Sequence, residues 1–331
     1  MSGPRRARWR NRLIARVLIA ASWIACRLPE GPLVRLAELA GDAWYRATPD
    51  RAAQARRNLR RVAVSLDARG RGPADVRAAA TDPRALEALV RRAYRHAARY
   101  YLEVARTPAI GPADLGDRLL IENPPVVDEA FRGDPVIFVG LHFGSLELPG
   151  LLLASRVGGA VAPMETLDDP DLQAWFVRTR GAMGIRIVGL REARRELLAG
   201  LRGGTSVGLV GDRDLTGGGT LTELFGAPAM LPLGPAMLAV ESGARPYVVG
   251  VRRGRTGHYR GRLERVAVPD EGSRRERVMA TMAALATAFE RIIEDAPEQW
   301  WAVFFPVWPD LETTARGSAS AGPAGSEEAA A

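Results

Sequence analysis

The chain contains no lysine: all 46 of its basic residues are arginine. That absence excludes Schiff-base chemistry and a phosphate-binding loop built on a lysine. There is one cysteine, Cys26, so neither a disulfide framework nor a thiolate metal cluster is available. Histidine is almost as scarce, with only His96, His142 and His258, and none belongs to an HExxH-type pair. No metal is therefore expected, and no cofactor. Uninterrupted apolar runs are short. The longest near the start, Leu13 to Leu28, is broken by Arg16 and Arg27. It falls short of the roughly 20 apolar residues a membrane-spanning helix needs.

The 331 residues are 47% hydrophobic, enough for one sizeable α/β domain or two small ones. Charge is placed asymmetrically. Residues 1–106 hold 23 Arg against 9 acids, and the rest holds 23 Arg against 29 acids. A basic first third on a mildly acidic body implies an anionic partner, either a membrane surface or nucleic acid. The N-terminus favours the membrane. Arg5, Arg6, Arg8, Arg10 and Arg12 precede the apolar run, and Trp9 and Trp23 suit the headgroup region. This reads as a basic amphipathic helix over residues 1–30, lying in the interface of an anionic membrane. A tilted single span, a signal peptide around Ala20-Ala21-Ser22 and an ordinary core helix are the competing readings.

Residues from about 32 to 107 show helical spacing, as in Leu86, Leu89, Val90 and Ala93. The Gly/Pro/Asp-rich stretch Arg69 to Pro83 reads as a loop. The pattern then alternates. Strands are expected at Val136–Val139, Gly159–Met164, Ile185–Val188, Ser206–Val210, Tyr247–Val251 and Arg260–Val266. Helices are expected at Leu146–Ser155, Leu172–Met183, Arg191–Leu201 and Arg274–Asp295. Such alternation predicts an α/β fold with a mostly parallel central sheet flanked by helices. The α/β domain is expected over 31–310. Residues 311–331, rich in Gly, Ala, Ser and Glu, read as a disordered tail.

In a parallel sheet, sites form at the carboxyl ends of strands. His142 follows the buried run ending at Val139, and Glu147 lies five residues on. Five helical steps turn about 140°, so the two meet only if His142 sits in a loop and Glu147 in the first helical turn. Gly144 and Ser145 then supply the turn and the N-cap. In that arrangement the carboxylate orients one imidazole nitrogen and the other acts as a base. A histidine satisfied at a strand end, beside a solvent-facing Glu147, is the plain alternative. Ser145 is not in a Gly-x-Ser-x-Gly elbow. Asp212 and Asp214 also follow an apolar strand, where an N-cap or loop role competes with a site role. Gly217-Gly218-Gly219 reads either as a phosphate cradle or as a mobile loop.

Several blocks, in order, resemble the lipid A biosynthesis acyltransferase family. That family includes the lauroyl and myristoyl transferases of lipid A and the phosphatidylinositol mannoside acyltransferases of actinobacteria. The blocks are RAAQARRNLRR (Arg51–Arg61), Ala98 to Glu103, VGLHFGSLELPG (Val139–Gly150), VGDRDLTGGGTLTELFG (Val210–Gly226) and DAPEQWW (Asp295–Trp301). Together they cover roughly residues 15 to 310. The resemblance implies transfer of a fatty acyl group from acyl-CoA or acyl carrier protein to a hydroxyl of a membrane lipid. The reaction would take place at the cytoplasmic face of the inner membrane, with His142 as general base and Glu147 as its orienter. Arg180 is implied as the oxyanion or phosphate contact, Asp212 as the partner of a site arginine, and Arg178, Asp214 and Glu223 as substrate-binding residues. Glu223 is further implied to approach His142 in the mannoside branch. The ending FFPVWPD (Phe304–Asp310) leans to that mannoside branch, whereas HFGSLEL (His142–Leu148) leans to the lipid A branch. A basic membrane-surface or nucleic-acid-binding protein remains the non-enzyme alternative, although no nucleic-acid-binding motif accompanies its charge.

Overall fold

The computed structural model describes residues 3–214 and 217–312. The chain opens with α1 (Gly3–Ala25), α2 (Glu30–Ala47), α3 (Pro49–Ala68), α4 (Ala74–Ala78) and α5 (Pro83–Arg106). Then come α6 (Pro112–Arg118), β1 (Leu119–Ile121), α7 (Pro124–Ala130), β2 (Val136–Gly144), α8 (Glu147–Val157), β3 (Ala160–Met164), α9 (Pro170–Ala182) and β4 (Ile185–Gly189). The remaining elements are α10 (Ala193–Arg202), β5 (Val207–Val210), β6 (Gly219–Leu224), β7 (Ala227–Pro232), α11 (Gly234–Ser242), β8 (Arg245–Arg253), β9 (Tyr259–Arg265) and α12 (Arg274–Ile293).

Seven strands form one sheet in the order β1-β9-β8-β2-β5-β3-β4. Every neighbouring pair is parallel except the β8–β9 hairpin. The mostly parallel sheet read from the alternation is therefore the one formed. Strand β2 lies between β5 and β8, and its residues 136 to 139 are at most 4% exposed. A strand covered on both faces needs apolar residues at successive positions, and Val136-Ile137-Phe138-Val139 supplies them.

The helical ends follow local chemistry. Ser273 and Glu276 close a capping box at the start of α12, and Asp169 accepts the amides of Asp171 and Leu172 at the start of α9. Helix α1 docks on the body through its small residues. Ala15 is buried, and Ser22 Oγ donates to the carbonyl of Ala105 (2.6 Å). Leu13, Val17, Leu18, Trp23 and Ile24 of the same helix stay exposed. Among the described residues no helix is long and apolar enough to cross a membrane. The side chains of Arg5, Arg6, Arg8, Arg10 and Trp9 lie outside the described residues, as does the expected tail beyond Glu312.

Periodicity does not predict the β6–β7 hairpin; residues 217–219 read from sequence as either a phosphate cradle or a mobile loop. The hairpin turn places Phe225 (φ 50°) and Gly226 (φ 76°) in the left-handed region, the geometry of a type I′ turn. Phenylalanine is a rare occupant of that region. Here its ring is 2% exposed and lies 6.5 Å from the Trp300 ring, so burial offsets the backbone cost. The indole N–H of Trp308 donates to the Leu224 carbonyl, and the Met230 amide donates to the Val307 carbonyl (3.0 Å). These bonds hold the hairpin to the C-terminal segment.

Asn58, in the Arg51–Arg61 block, is fully buried on α3. Its side-chain amide donates to the carbonyls of Val303 (2.9 Å) and Phe305 (2.7 Å). The N-terminal helical region therefore fixes the aromatic segment that borders the site.

Candidate active site

The register of the central strands brings the site together. Strands β2 and β5 run parallel with Gly140 opposite Val210, and the Gly211 amide donates to the Gly140 carbonyl (3.0 Å). Two residues further along each chain stand His142 and Asp212. Gly211 has to be glycine here, since a Cβ would lie 2.7 Å from Val139 and 3.3 Å from Phe289.

Nδ1 of His142 lies 2.8 Å from Oδ1 of Asp212, and the His142 backbone amide donates to Oδ2 (3.0 Å). The indole N–H of Trp300 donates to the same Oδ2 (2.8 Å). Asp212 is 2% exposed. Burial opposes its charge, but the charge and hydrogen bonds of His142, with the indole of Trp300, outweigh it. The carboxyl is held below its ordinary pKa and stays ionised. With Nδ1 occupied, Nε2 has no hydrogen-bond partner among the described residues. The imidazole borders an apolar cavity of about 410 Å³, lined in part by Leu146, Leu153, Phe176, Ile185 and Ile187. That size suits a small organic ligand or one arm of a larger one.

The two acids have exchanged the partners that spacing suggested. Glu147 does not hold His142. It takes Arg180 through Nη2 to Oε1 (2.8 Å) and Nε to Oε2 (3.3 Å). Asp212, expected on an arginine, holds the histidine. The reason lies in the backbone between positions 142 and 147. His142 is still in β2, which continues through a bulge to Gly144, and α8 begins only at Glu147. Gly144 has φ 53°, and a Cβ there would lie 1.9 Å from the carbonyl oxygen of Val251. Its own carbonyl accepts from Arg253 Nη2 (2.6 Å), and Arg253 is held in turn by Glu103 (2.9 Å). The expected N-cap is also absent: Leu146 occupies that position without a side-chain cap. Ser145 is 2% exposed, gives its amide to Val251, and is not among the cavity-lining residues.

Arg180 borders the cavity. Burial works against its charge, but Glu147 prevails and raises its pKa above the ordinary value. Its Nη1 donates to Met164 Sδ (2.8 Å). Tyr100, also at the cavity, has its phenol pushed up by burial and by the charge of Glu147, so it stays a neutral donor.

The three expected substrate-binding residues lie elsewhere. Arg178 is exposed on α9 and faces α1 across a separate groove. Glu223 is exposed on β6, away from the cavity lining, and Nδ1 of His142 is taken by Asp212. Asp214 accepts the amides of Gly217 (3.1 Å) and Gly219 (2.7 Å), so it shapes the Gly-rich loop, and those two amides are turned inward to it. Asp212 and Asp214 both point their oxygens at N–H donors, an arrangement unlike a cation site. His96 is half-buried on α5, and desolvation of its ring lowers its pKa well below the ordinary value. His258 is exposed in the β8–β9 turn.

Three contributors stand outside the expected site residues. Trp300 is a buried donor to Asp212, set in place by a bridge between Phe143 and Trp300. Gln299 exchanges two hydrogen bonds with the backbone of Arg253 (2.7 and 2.9 Å). Arg213 lines the cavity. Its signal was its place between two aspartates that were themselves singled out.

A histidine clamped by a buried carboxylate at the end of a parallel strand, beside an apolar cavity, is the site that this α/β fold presents. Residues 5–306 match the model of the bacterial lipid A biosynthesis acyltransferase family, and the chain belongs to that family. It is an acyltransferase, and the non-enzyme alternative falls. It is 30% identical over 236 residues to a phosphatidylinositol mannoside acyltransferase of Mycolicibacterium smegmatis, covering 70% of this chain and 72% of that protein. It is 34% identical over 233 residues, 68% of each chain, to a phosphatidylinositol mannoside acyltransferase of Mycobacterium tuberculosis.

Proposed function

We propose that the protein transfers a fatty acyl group from a thioester donor, acyl-CoA or acyl carrier protein, to a hydroxyl of a phosphatidylinositol mannoside-type glycolipid. The observation that carries this reading is the His142–Asp212 pair, with Nε2 unpartnered beside an apolar cavity. Nε2 takes the proton of the acceptor hydroxyl as its oxygen attacks the thioester carbonyl. Asp212 remains a carboxylate and stabilises the imidazolium. Arg180, steadied by Glu147, offsets the charge on the tetrahedral oxyanion. The carbon–sulfur bond then breaks, and the imidazolium returns its proton to the departing thiolate. The acyl chain lies among the apolar residues of the cavity. The mannoside class of acceptor is favoured by the names of the two relatives.

The reaction takes place at the cytoplasmic face of the plasma membrane, with the protein bound peripherally. The exposed apolar residues of α1, Val17, Leu18, Trp23 and Ile24, support this. Across a groove of about 690 Å³ the helix meets Arg178 of α9, which suits an anionic surface.

The test is label transfer from radiolabelled acyl-CoA or acyl carrier protein into a membrane lipid extract. Wild type labels a glycolipid, and His142→Ala does so at least ~100-fold more slowly. Equal labelling by both proteins sinks the mechanism, and label confined to lipid A precursors redirects the acceptor. Sedimentation with phosphatidylinositol vesicles checks the surface: a Trp23→Ser, Ile24→Ser double variant stays in the supernatant.

A further inference from the structure

An aromatic ledge leads away from the catalytic histidine. The Trp301 ring lies 5.5 Å from His142, and the Phe305 ring lies 4.8 Å beyond Trp301. Two arginines from distant parts of the chain converge on the end of that ledge. The guanidinium carbon of Arg213 is 3.6 Å from the Phe305 ring centre, and that of Arg51 is 5.6 Å from it. Arg213 is half-buried and lines the cavity, while Arg51 is exposed on α3. Arg213 thus stands at the cavity and Arg51 at the surface, both against Phe305.

Neither arginine has a hydrogen bond or a carboxylate within 4.0 Å among the described residues. Other arginines around the site are matched. Arg180 has Glu147, Arg252 has Glu122 and Asp295, and Arg253 has Glu103. The acids nearest to Arg213 do not neutralise it by contact. Asp212 is committed to His142 and Trp300, and Glu165 is an exposed residue of the cavity rim. Burial pulls the Arg213 pKa below its ordinary value, and Arg51 adds to the effect. A guanidinium nevertheless remains charged at any working pH. Cation–π contact offsets part of the cost of gathering two like charges, but it leaves their in-plane N–H donors unused. Two forks of donors gathered on one ring match an anion with several oxygens.

We infer that Arg213 and Arg51 form a phosphate-binding site at the mouth of the cavity, at the Phe305 end of the ledge. The inference rests on the acyl-transfer reading above, which supplies two sources of phosphate. One is the phosphopantetheine and nucleotide portion of the thioester donor. The other is the phosphodiester of the acceptor lipid. Either would hold its molecule by a group remote from the reacting atoms.

Binding without turnover separates the two. Calorimetry on the full-length protein compares coenzyme A with phosphate-free pantetheine, and glycerophosphoinositol with free inositol. Wild type should prefer one phosphorylated ligand over its phosphate-free counterpart by at least about tenfold. The coenzyme A pair assigns the site to the donor, and the inositol pair assigns it to the acceptor. The preference should vanish in Arg213→Gln, fall in Arg51→Gln, and return in part in Arg213→Lys. Arg60→Gln, an exposed change on the same helix as Arg51, should leave it intact. Circular dichroism confirms that each variant is folded. Absence of any phosphate preference in wild type, or its survival in Arg213→Gln, overturns the site. If the preference is present and no acyl transfer from these thioesters to a mannoside-type glycolipid is detected, the anion site stands and the proposed donor and acceptor fall. If transfer proceeds without the preference, the reverse holds.

Discussion

Oδ1 of Asp212 lies 2.8 Å from Nδ1 of His142, and the same carboxylate also accepts the backbone amide of that histidine. One acid thus fixes both the position of the residue and the rotation of its ring. Asp212→Asn keeps the shape and removes the charge that favours imidazolium. Acyl transfer should fall by roughly 10²- to 10⁴-fold while the fold persists, read by steady-state kinetics beside circular dichroism.

Glu147 touches Arg180 and not the histidine. Glu147→Gln should therefore slow transfer without moving the pH–rate profile, whereas Asp212→Asn should move it. A shifted profile in Glu147→Gln would return that acid to the histidine.

Trp300→Phe keeps an aromatic ring and deletes the N–H that reaches Asp212. A hydrogen bond to a charged group contributes about 1.5–3 kcal/mol. Urea unfolding should show a loss of about that size, with lowered activity in the folded fraction.

Gly144→Ala would place a methyl group 1.9 Å from the carbonyl oxygen of Val251, at a φ of 53°. The β2–α8 corner would have to move. Destabilisation of at least about 2 kcal/mol is expected, seen as a lower melting temperature.

Asp42 tests electrostatics far from the site. Hydrogen bonds from Arg91 and Arg95 depress its pKa strongly in the folded state. A depressed carboxyl stabilises the fold above its unfolded value of about 3.9, and that contribution fades as pH falls below it. The gap in melting temperature between wild type and Asp42→Asn should be widest near neutral pH and should close on acidification below about pH 4.

Local sequence determined the elements that carry the site. The unbroken apolar run Val136–Val139 specified a strand covered on both faces, and His142 was placed at its carboxyl end by counting. The alternation of short apolar runs with helical periods specified the parallel sheet. The order of the five blocks specified the family. The β6–β7 hairpin escaped because its turn uses a phenylalanine at positive φ, which only burial against Trp300 makes tolerable.

Partner choice was a different matter. Glu147 is five residues from His142 in the chain and Asp212 is seventy, so proximity in sequence favoured the wrong acid. The β2–β5 register set Asp212 beside the histidine, and the bulge at Gly144 carried Glu147 away to Arg180. Arg51 and Arg213 meet on Phe305 for a similar reason, because Asn58 fixes the carbonyls of Val303 and Phe305. Residue type and periodicity are properties of a short stretch of chain. Which charge meets which depends on strand register and helix packing, and those are settled only when distant segments bury their apolar faces together.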